Sequence, residues 1–255
     1  MLRYIFISFF IALVYSGQLV AQPRDSTLSL KSILTVTNNG FAIIPAFSLG
    51  KPAFLFDLSI ANKRFSFEPQ FRYSLNGKPW IFNFNFRYKL LNKNKTEFTI
   101  GAYLPALNFV EKRVDVNVIP QEIQTVRRFV SGELIVDYLI ARNVRTGIYY
   151  LHGHGFQPDG PRNTSYLAFR ARFSRIKLCK KIFYAEFSPQ LYYLIVNGDS
   201  GFYLNETIQF IVSDFPLSFS STVNKSLRST IPSRDFDWNL SLTYSVGRKY
   251  VLKSQ

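Results

Sequence analysis

Apolar and polar residues alternate one by one through long stretches of this chain, and a period of two constrains the fold more than any other feature. Side chains on an extended strand point to opposite faces in turn, so such a stretch builds a sheet with one apolar and one polar surface. From 65 to 75, Phe65, Phe67, Pro69, Phe71, Tyr73 and Leu75 share one face, and Ser66, Glu68, Gln70, Arg72 and Ser74 the other. From 80 to 90, Trp80, Phe82, Phe84, Phe86, Tyr88 and Leu90 lie opposite Asn83, Asn85, Arg87 and Lys89. Near the end, Phe236, Trp238, Leu240, Leu242, Tyr244 and Val246 alternate with Asp237, Asn239, Ser241, Thr243 and Ser245. These faces run for about 9–11 residues, which is what a tilted strand needs to cross a bilayer and more than an ordinary soluble strand uses. The expected fold is all-β: a transmembrane, antiparallel, up-and-down β-barrel.

Turn-forming clusters punctuate the pattern at Gly50-Lys51-Pro52, Asn62-Lys63-Arg64, Asn76-Gly77-Lys78-Pro79, Asn92-Lys93-Asn94-Lys95, Asn197-Gly198-Asp199 and Asp214-Phe215-Pro216. Strands are expected near 41–49, 53–61, 65–75, 80–91, 96–107, 126–141, 144–156, 164–175, 182–196, 201–213, 216–224 and 235–247. Residues 28–37 are also strand-like, but bacterial single-chain barrels have even strand counts, so roughly twelve strands are expected, within bounds of ten to fourteen. On that count residues 22–40 form a periplasmic segment or an extension of the first strand, 41–247 the barrel, and 248–255 a basic tail. Longer connections after Ala106, around Pro158-Asp159-Gly160-Pro161 and from Lys225 to Arg234 all fall at one end, expected to face outward, which leaves the termini periplasmic.

Composition fits this economy. The chain carries 26 Phe and 15 Tyr, yet its mean hydropathy is +0.02, as expected where aromatics go to lipid and polar residues to a lumen. Arg3, the apolar run from Tyr4 to Tyr15 and the small residues before Ala21 read as a signal peptide over 1–21, cleaved after Ala21. The single cysteine, Cys179, lies far from that site and has no partner for a disulfide.

The runs TVTNNGFAIIPAFSLGKPAFLFDLS, KRFSFEPQFRYSLNGKPW and FNFRYKLL resemble uncharacterised outer-membrane β-barrel proteins of Bacteroidota. The resemblance covers about the first third of the chain beyond the signal. It implies outer-membrane location and a barrel fold, and carries no catalytic set.

With the apolar faces toward lipid, the opposite faces place Asp57, Glu68, Glu97, Glu133, Asp137, Glu186 and Asp237 in the lumen beside Arg72, Arg87, Lys89, Arg127, Arg170 and Arg172. The signs nearly balance, which argues against a single-sign selectivity ring and for cross-strand pairs that narrow or plug a small barrel. Arg170 and Arg172, on one face beside Tyr166, are the candidate solute-contacting pair. The formal charge of +15 therefore has to sit elsewhere: Lys63, Arg64, Lys93, Lys95, Arg142, Arg145, Arg175, Lys177, Lys180, Lys181, Arg248, Lys249 and Lys253 fall at turns of the end holding the termini, a basic rim suited to anionic lipid headgroups.

His152-Gly153-His154 puts two imidazoles on one face, but two histidines without further ligands read more simply as polar residues near a strand end. No motif links either to a serine for lipid hydrolysis, and no nucleotide loop, cysteine knuckle or internal repeat is present. No catalytic residue, metal, cofactor or nucleic-acid partner is expected. The leading expectation is a non-enzymatic outer-membrane barrel acting as a narrow channel or transport protein for small polar solutes. A plugged structural or partner-binding envelope barrel comes second, and a membrane lipid hydrolase third.

Overall fold

The computed structural model describes residues 26–116, 119–179 and 182–252. Twelve antiparallel strands close into a barrel, each hydrogen-bonded to its sequence neighbours and the last to the first. They are β1 (Ser26–Thr37), β2 (Ala53–Ala61), β3 (Phe65–Ser74), β4 (Pro79–Lys93), β5 (Thr96–Val116), β6 (Ile119–Ala141), β7 (Val144–Gly155), β8 (Asn163–Cys179), β9 (Phe183–Val196), β10 (Asp199–Val212), β11 (Leu217–Ser229) and β12 (Phe236–Leu252). The start of β1 and the finish of β12 define a terminal end, with tight turns at 62–64, 94–95, 142–143 and 213–216. Residues 38–52, 75–78, 156–162, 197–198 and 230–235 connect strands at the opposite, loop end.

The turn chemistry follows the sequence. Asn94, Asn197 and Asp214 adopt positive φ of 52°, 54° and 58°, a conformation that short polar side chains tolerate and branched ones do not. Along the strands the apolar face points outward: Leu34 and Val36 on β1, Leu134 and Val136 on β6, Phe169 on β8, Phe202 and Phe210 on β10, and Trp238, Leu242 and Tyr244 on β12 are all exposed. An apolar surface that encircles the molecule would drive aggregation in water and is what hydrocarbon requires. Rings pair across neighbouring strands within this belt, with centroids 4.7 Å apart for Phe67 and Phe86, 5.3 Å for Phe71 and Phe82, and 4.5 Å for Tyr193 and Phe202.

Four expectations are corrected. Residues 26–37 form the first strand itself, in register with β12 on one side and β2 on the other, while 41–49 form no strand and contain one turn of 3-10 helix, Pro45–Phe47. The reason is local: 28–37 alternates, whereas Ala42-Ile43-Ile44 is an unbroken apolar run followed by a proline that has no N–H for a ladder. One strand gained and one lost leave the count at twelve and every later direction unchanged. Residues 248–252 are no tail, because Arg248 to Leu252 pair with Leu30 to Ser26. The connection after Ala106 is no loop: the β5–β6 ladder continues to the Val116–Ile119 pair and projects as a hairpin. Trp80 leaves the lipid face through a bulge, since Arg72 pairs with Ile81 and Tyr73 with Pro79, and its ring is buried inside. The signal segment 1–21 and its cleavage position, with Lys180, Lys181 and Lys253, lie outside the described residues.

Candidate functional site

The lumen is built from the polar parity of each strand and from one stretch of chain that the parity argument does not contain. In the half nearer the terminal end, charged residues pair between adjacent strands or across a single intervening strand. Glu133 of β6 is the hub, its side chain fully buried. Arg87 Nε donates to Glu133 Oε1 at 2.5 Å and Nη2 to Oε2 at 3.2 Å, while Nη1 reaches Glu68 Oε2 at 2.6 Å. The Tyr149 hydroxyl donates to Glu133 Oε2 at 2.7 Å and Asn85 Nδ2 to Oε1 at 3.4 Å. A buried carboxylate with this many donors is compensated, whereas a bare one would be costly to keep ionised. Further pairs join Lys89 to Glu97 at 3.0 Å, Arg170 to Asp137 at 3.0 Å, and Arg172 to Glu186 at 2.9 Å.

Two glycines make these pairs possible. Gly101 stands directly opposite Glu133 and Gly147 opposite Asp137, and a Cβ at either position would collide with the facing carboxylate. Sequence reasoning missed both, because a glycine inside an alternating strand reads only as a weak spot until its cross-strand partner is known.

The half nearer the loop end is filled differently. Residues 38–52 fold back into the barrel mouth. Gly40 donates its N–H to the Lys51 carbonyl at 2.9 Å and its own carbonyl accepts from Leu49 and Gly50, closing the segment into a compact loop. Trp80 pins it: the indole Nε1 donates to the Phe47 carbonyl at 2.6 Å, and the ring lies so close to Gly40 that a Cβ there would come within 2.9 Å. Phe47 packs edge-on to Phe129, centroids 4.8 Å apart, and Ile43 and Ile44 reach across to the buried cluster of Tyr166, Tyr192, Leu194 and Tyr203. That cluster is a ladder of inward tyrosines, Tyr149 to Tyr166 at 5.5 Å, Tyr166 to Tyr192 at 5.1 Å and Tyr192 to Tyr203 at 4.9 Å. Their hydroxyls are satisfied by Gln190, Asn224 and Ser229, which is how a tyrosine is accommodated in a partly polar interior.

Two cavities lie deep in the lumen. The lower, about 270 Å³, is lined by Asp137, Arg145, Arg170, Arg172, Gln190 and Thr207. The upper, about 480 Å³, lies beneath the inserted segment, between Ile43, Ile44 and Phe47 on one side and Arg72, Tyr149 and Tyr166 on the other. Asn205 lines both.

The sequence-derived lumen set thus divides. Glu68, Arg87 and Glu133 meet in one network; Lys89, Asp137, Arg172 and Glu186 are in further pairs; Arg170 and Arg172 share the lower cavity, and Tyr166, on the same inward face of β8, lines the upper one. Arg127 and Asp237 are at the mouth: Arg127 reaches Asp159 at 3.4 Å and Arg234 reaches Asp237 at 3.4 Å. Arg145, expected at the basic rim of the terminal end, instead lines the lower cavity. His152 and His154 face outward, with Nδ1 atoms 2.8 Å from Ser165 Oγ and 3.0 Å from Asn163 Oδ1. Among the described residues no three His, Cys, Asp or Glu side chains converge as a metal site.

At the rim, outside the lipid belt, Lys78 and Lys51 hold the Glu111 carboxyl below its ordinary value, and Lys112 and Arg127 do the same for Asp159. The hairpin of β5 and β6 is thereby tied to its neighbours by exposed ion pairs.

These features define the class: a twelve-stranded membrane-type β-barrel with an ion-paired lower lumen and a segment inserted from the rim. No family model and no curated protein matches the chain. Among solved structures it is similar to the KdgM porin in complex with disordered oligogalacturonate, at 8% identity and TM-score 0.51, covering 85% of this chain and 98% of that one. It is also similar to an outer-membrane channel from Pseudomonas putida F1, at 10% identity and TM-score 0.48, covering 91% and 98%, and to trimeric OmpT of Vibrio cholerae, at 7% and 0.45, covering 88% and 100%. The likeness at such identity is one of fold: the chain has the architecture of an outer-membrane barrel.

Proposed function

We propose that this protein resides in the bacterial outer membrane, termini in the periplasm, and works without catalysis as a narrow channel for small polar solutes. The observation that carries this reading is the pair of cavities in series, one above the other and meeting at Asn205, in a lumen whose charged groups are mostly paired. A path of that kind passes small solutes slowly and shows no strong preference for either sign. Orientation is supported by the short turns of the terminal end and by its basic residues, Lys63, Arg64, Lys93, Lys95, Arg142, Arg175, Lys177, Arg248 and Lys249, which suit anionic headgroups. The cleaved signal and kinship with the Bacteroidota barrels belong to the same proposal and rest on the sequence phrases above.

A second reading, a plugged barrel that serves as an envelope scaffold, is favoured by the inserted segment and by the projecting β5–β6 hairpin, a natural contact for a partner. Single-channel recording on purified protein in planar bilayers separates the two. The channel reading predicts small, reproducible conductance steps. No conductance at any voltage, together with no uptake defect in a deletion strain, would overturn it.

A further inference from the structure

The upper cavity has the composition of a binding site more than of a plain pore. Its wall toward the loop end is carbon, from Phe41, Ile43, Ile44, Phe47 and Phe129, continued by the ring of Tyr166. At about 480 Å³ it is within the size range of small-ligand pockets, which combine an apolar lining with a few placed polar groups. Polar groups from Ser131, Thr164, Asn205, Thr222 and Asn239 also reach the cavity, but its one charged lining residue is Arg72 of β3, which lines it together with the amides of Gln70 and Asn83.

Arg72 differs from Arg87, Arg170 and Arg172. Arg87, Arg170 and Arg172 each contact a carboxylate within 3.0 Å. Arg72 makes no ion pair among the described residues, its contact with Gln70 Oε1 is a long 3.5 Å, and its Nε is buried without a hydrogen-bond partner. The nearest acid on the adjoining strand, Asp57, stands opposite Gln70 and diagonal to Arg72 in the ladder; it is close enough to feel the Arg72 charge but makes no ion pair with it, does not line the cavity, and has its own Oδ1 buried and unpartnered. A guanidinium left unpaired at the edge of an apolar chamber is a costly arrangement, and the ligand that relieves it brings an anionic oxygen pair and an apolar body.

We propose that the upper cavity binds a small amphiphilic carboxylate, with the carboxylate on Arg72 and the apolar body against Ile43, Ile44 and the ring of Phe47. The inserted segment is then one wall of the site as well as a constriction. This inference stands whether or not the barrel conducts, so its failure and that of the channel reading are separate results.

The test is calorimetric titration of the full-length protein in non-ionic detergent with 4-phenylbutyrate, and with its neutral amide as control. Empty micelles are titrated in parallel so that partitioning is subtracted. Wild type is expected to bind the acid saturably at one site and the amide at least tenfold more weakly. Arg72→Gln is expected to lose tenfold or more for the acid. Asp57→Asn, which removes the nearest competing anion, is expected to bind it more tightly, and Lys249→Gln at the terminal rim to bind it as wild type does. Heat-modifiable mobility reports whether each variant is folded; Ile44→Trp, which fills the chamber and leaves Arg72 in place, supplies the comparison if Arg72→Gln fails to fold, and is expected to abolish binding. Absence of saturable binding to wild type, equal affinity for acid and amide, or undiminished binding by folded Arg72→Gln would each overturn the proposal. Undiminished binding by folded Ile44→Trp would overturn it as well.

Discussion

The half of the lumen nearer the chain termini is filled by side chains that belong to the wall, whereas the half nearer the loops is filled by a stretch of chain that enters from the rim. In the first, Glu133, Arg87 and Glu68 close the space by charge pairing, with Gly101 clearing room for the buried carboxylate. In the second, Ile43, Ile44 and Phe47 close it by packing on tyrosines and on Trp80. The contrast teaches that a small barrel can be narrowed in two ways with different consequences. A pair between wall strands is part of the barrel's own stability, and disturbing it disturbs the fold. A segment held by one indole and a few apolar contacts can be disturbed while the wall persists.

The contrast can be broken by substitution. Glu133→Leu removes the hub and leaves Arg87 with Glu68 alone, so a loss of about 3 kcal/mol in folding stability is expected, from stranding a buried charge. It is read as a lower urea midpoint for the folded, heat-modifiable form. Trp80→Ala is expected to cost about 3 kcal/mol by the lost packing, but to act on the inserted segment: proteolysis between 41 and 49 should become faster while the barrel band on a gel is retained. If Trp80→Ala instead unfolded the barrel as thoroughly as Glu133→Leu, the distinction between the halves would be wrong. Gly40→Ala places a methyl 2.9 Å from the Trp80 ring, and an overpacking cost of about 1 kcal/mol is expected, seen as a smaller rise in the same proteolysis.

The smallest effect belongs to the rim. Glu111 and Asp159 have lowered pKa values because of Lys78 and Lys51, and of Lys112 and Arg127, respectively. A carboxylate with a lowered folded-state pKa contributes stability that is complete above its ordinary value and is lost as pH falls through the lowered one. Both groups are exposed, so the contribution is small and screened by salt. Hydrogen exchange of the β5–β6 hairpin should therefore rise modestly between pH 5 and pH 3 relative to the intrinsic rate, with the β8–β10 amides unchanged.

How legible all this was in the sequence depended on whether the information was periodic. The alternation in 65–75 and 236–246 specified two strands, their faces and their surroundings at once, because the side-chain period is a property of the backbone. The charged lumen residues came with it, and Glu68, Arg87 and Glu133 were all identified, though not as one network, since cross-strand partners depend on register. What failed was aperiodic. Ala42-Ile43-Ile44 reads as strand or buried loop alike when taken as an apolar run, and only Pro45 spoke against the strand. Trp80 was placed in lipid because one extra residue in a bulge reverses the parity and leaves no mark in composition. Inward tyrosines such as Tyr192 and Tyr203 escape because the sequence reading gives aromatic residues other than Tyr166 to the membrane face.

The account's central claim is that residues 38–52 close the loop half while the paired charges narrow the terminal half. Its most direct test is single-channel conductance of wild type beside a variant in which 41–49 is replaced by a short Gly-Ser bridge, recorded in the same bilayers. The account predicts that the variant folds, shifts on heating as wild type does, and conducts in larger steps that remain limited by the terminal half, growing again when Arg170→Ala and Arg172→Ala are added. Equal conductance in wild type and the bridged variant, with both folded, would contradict it.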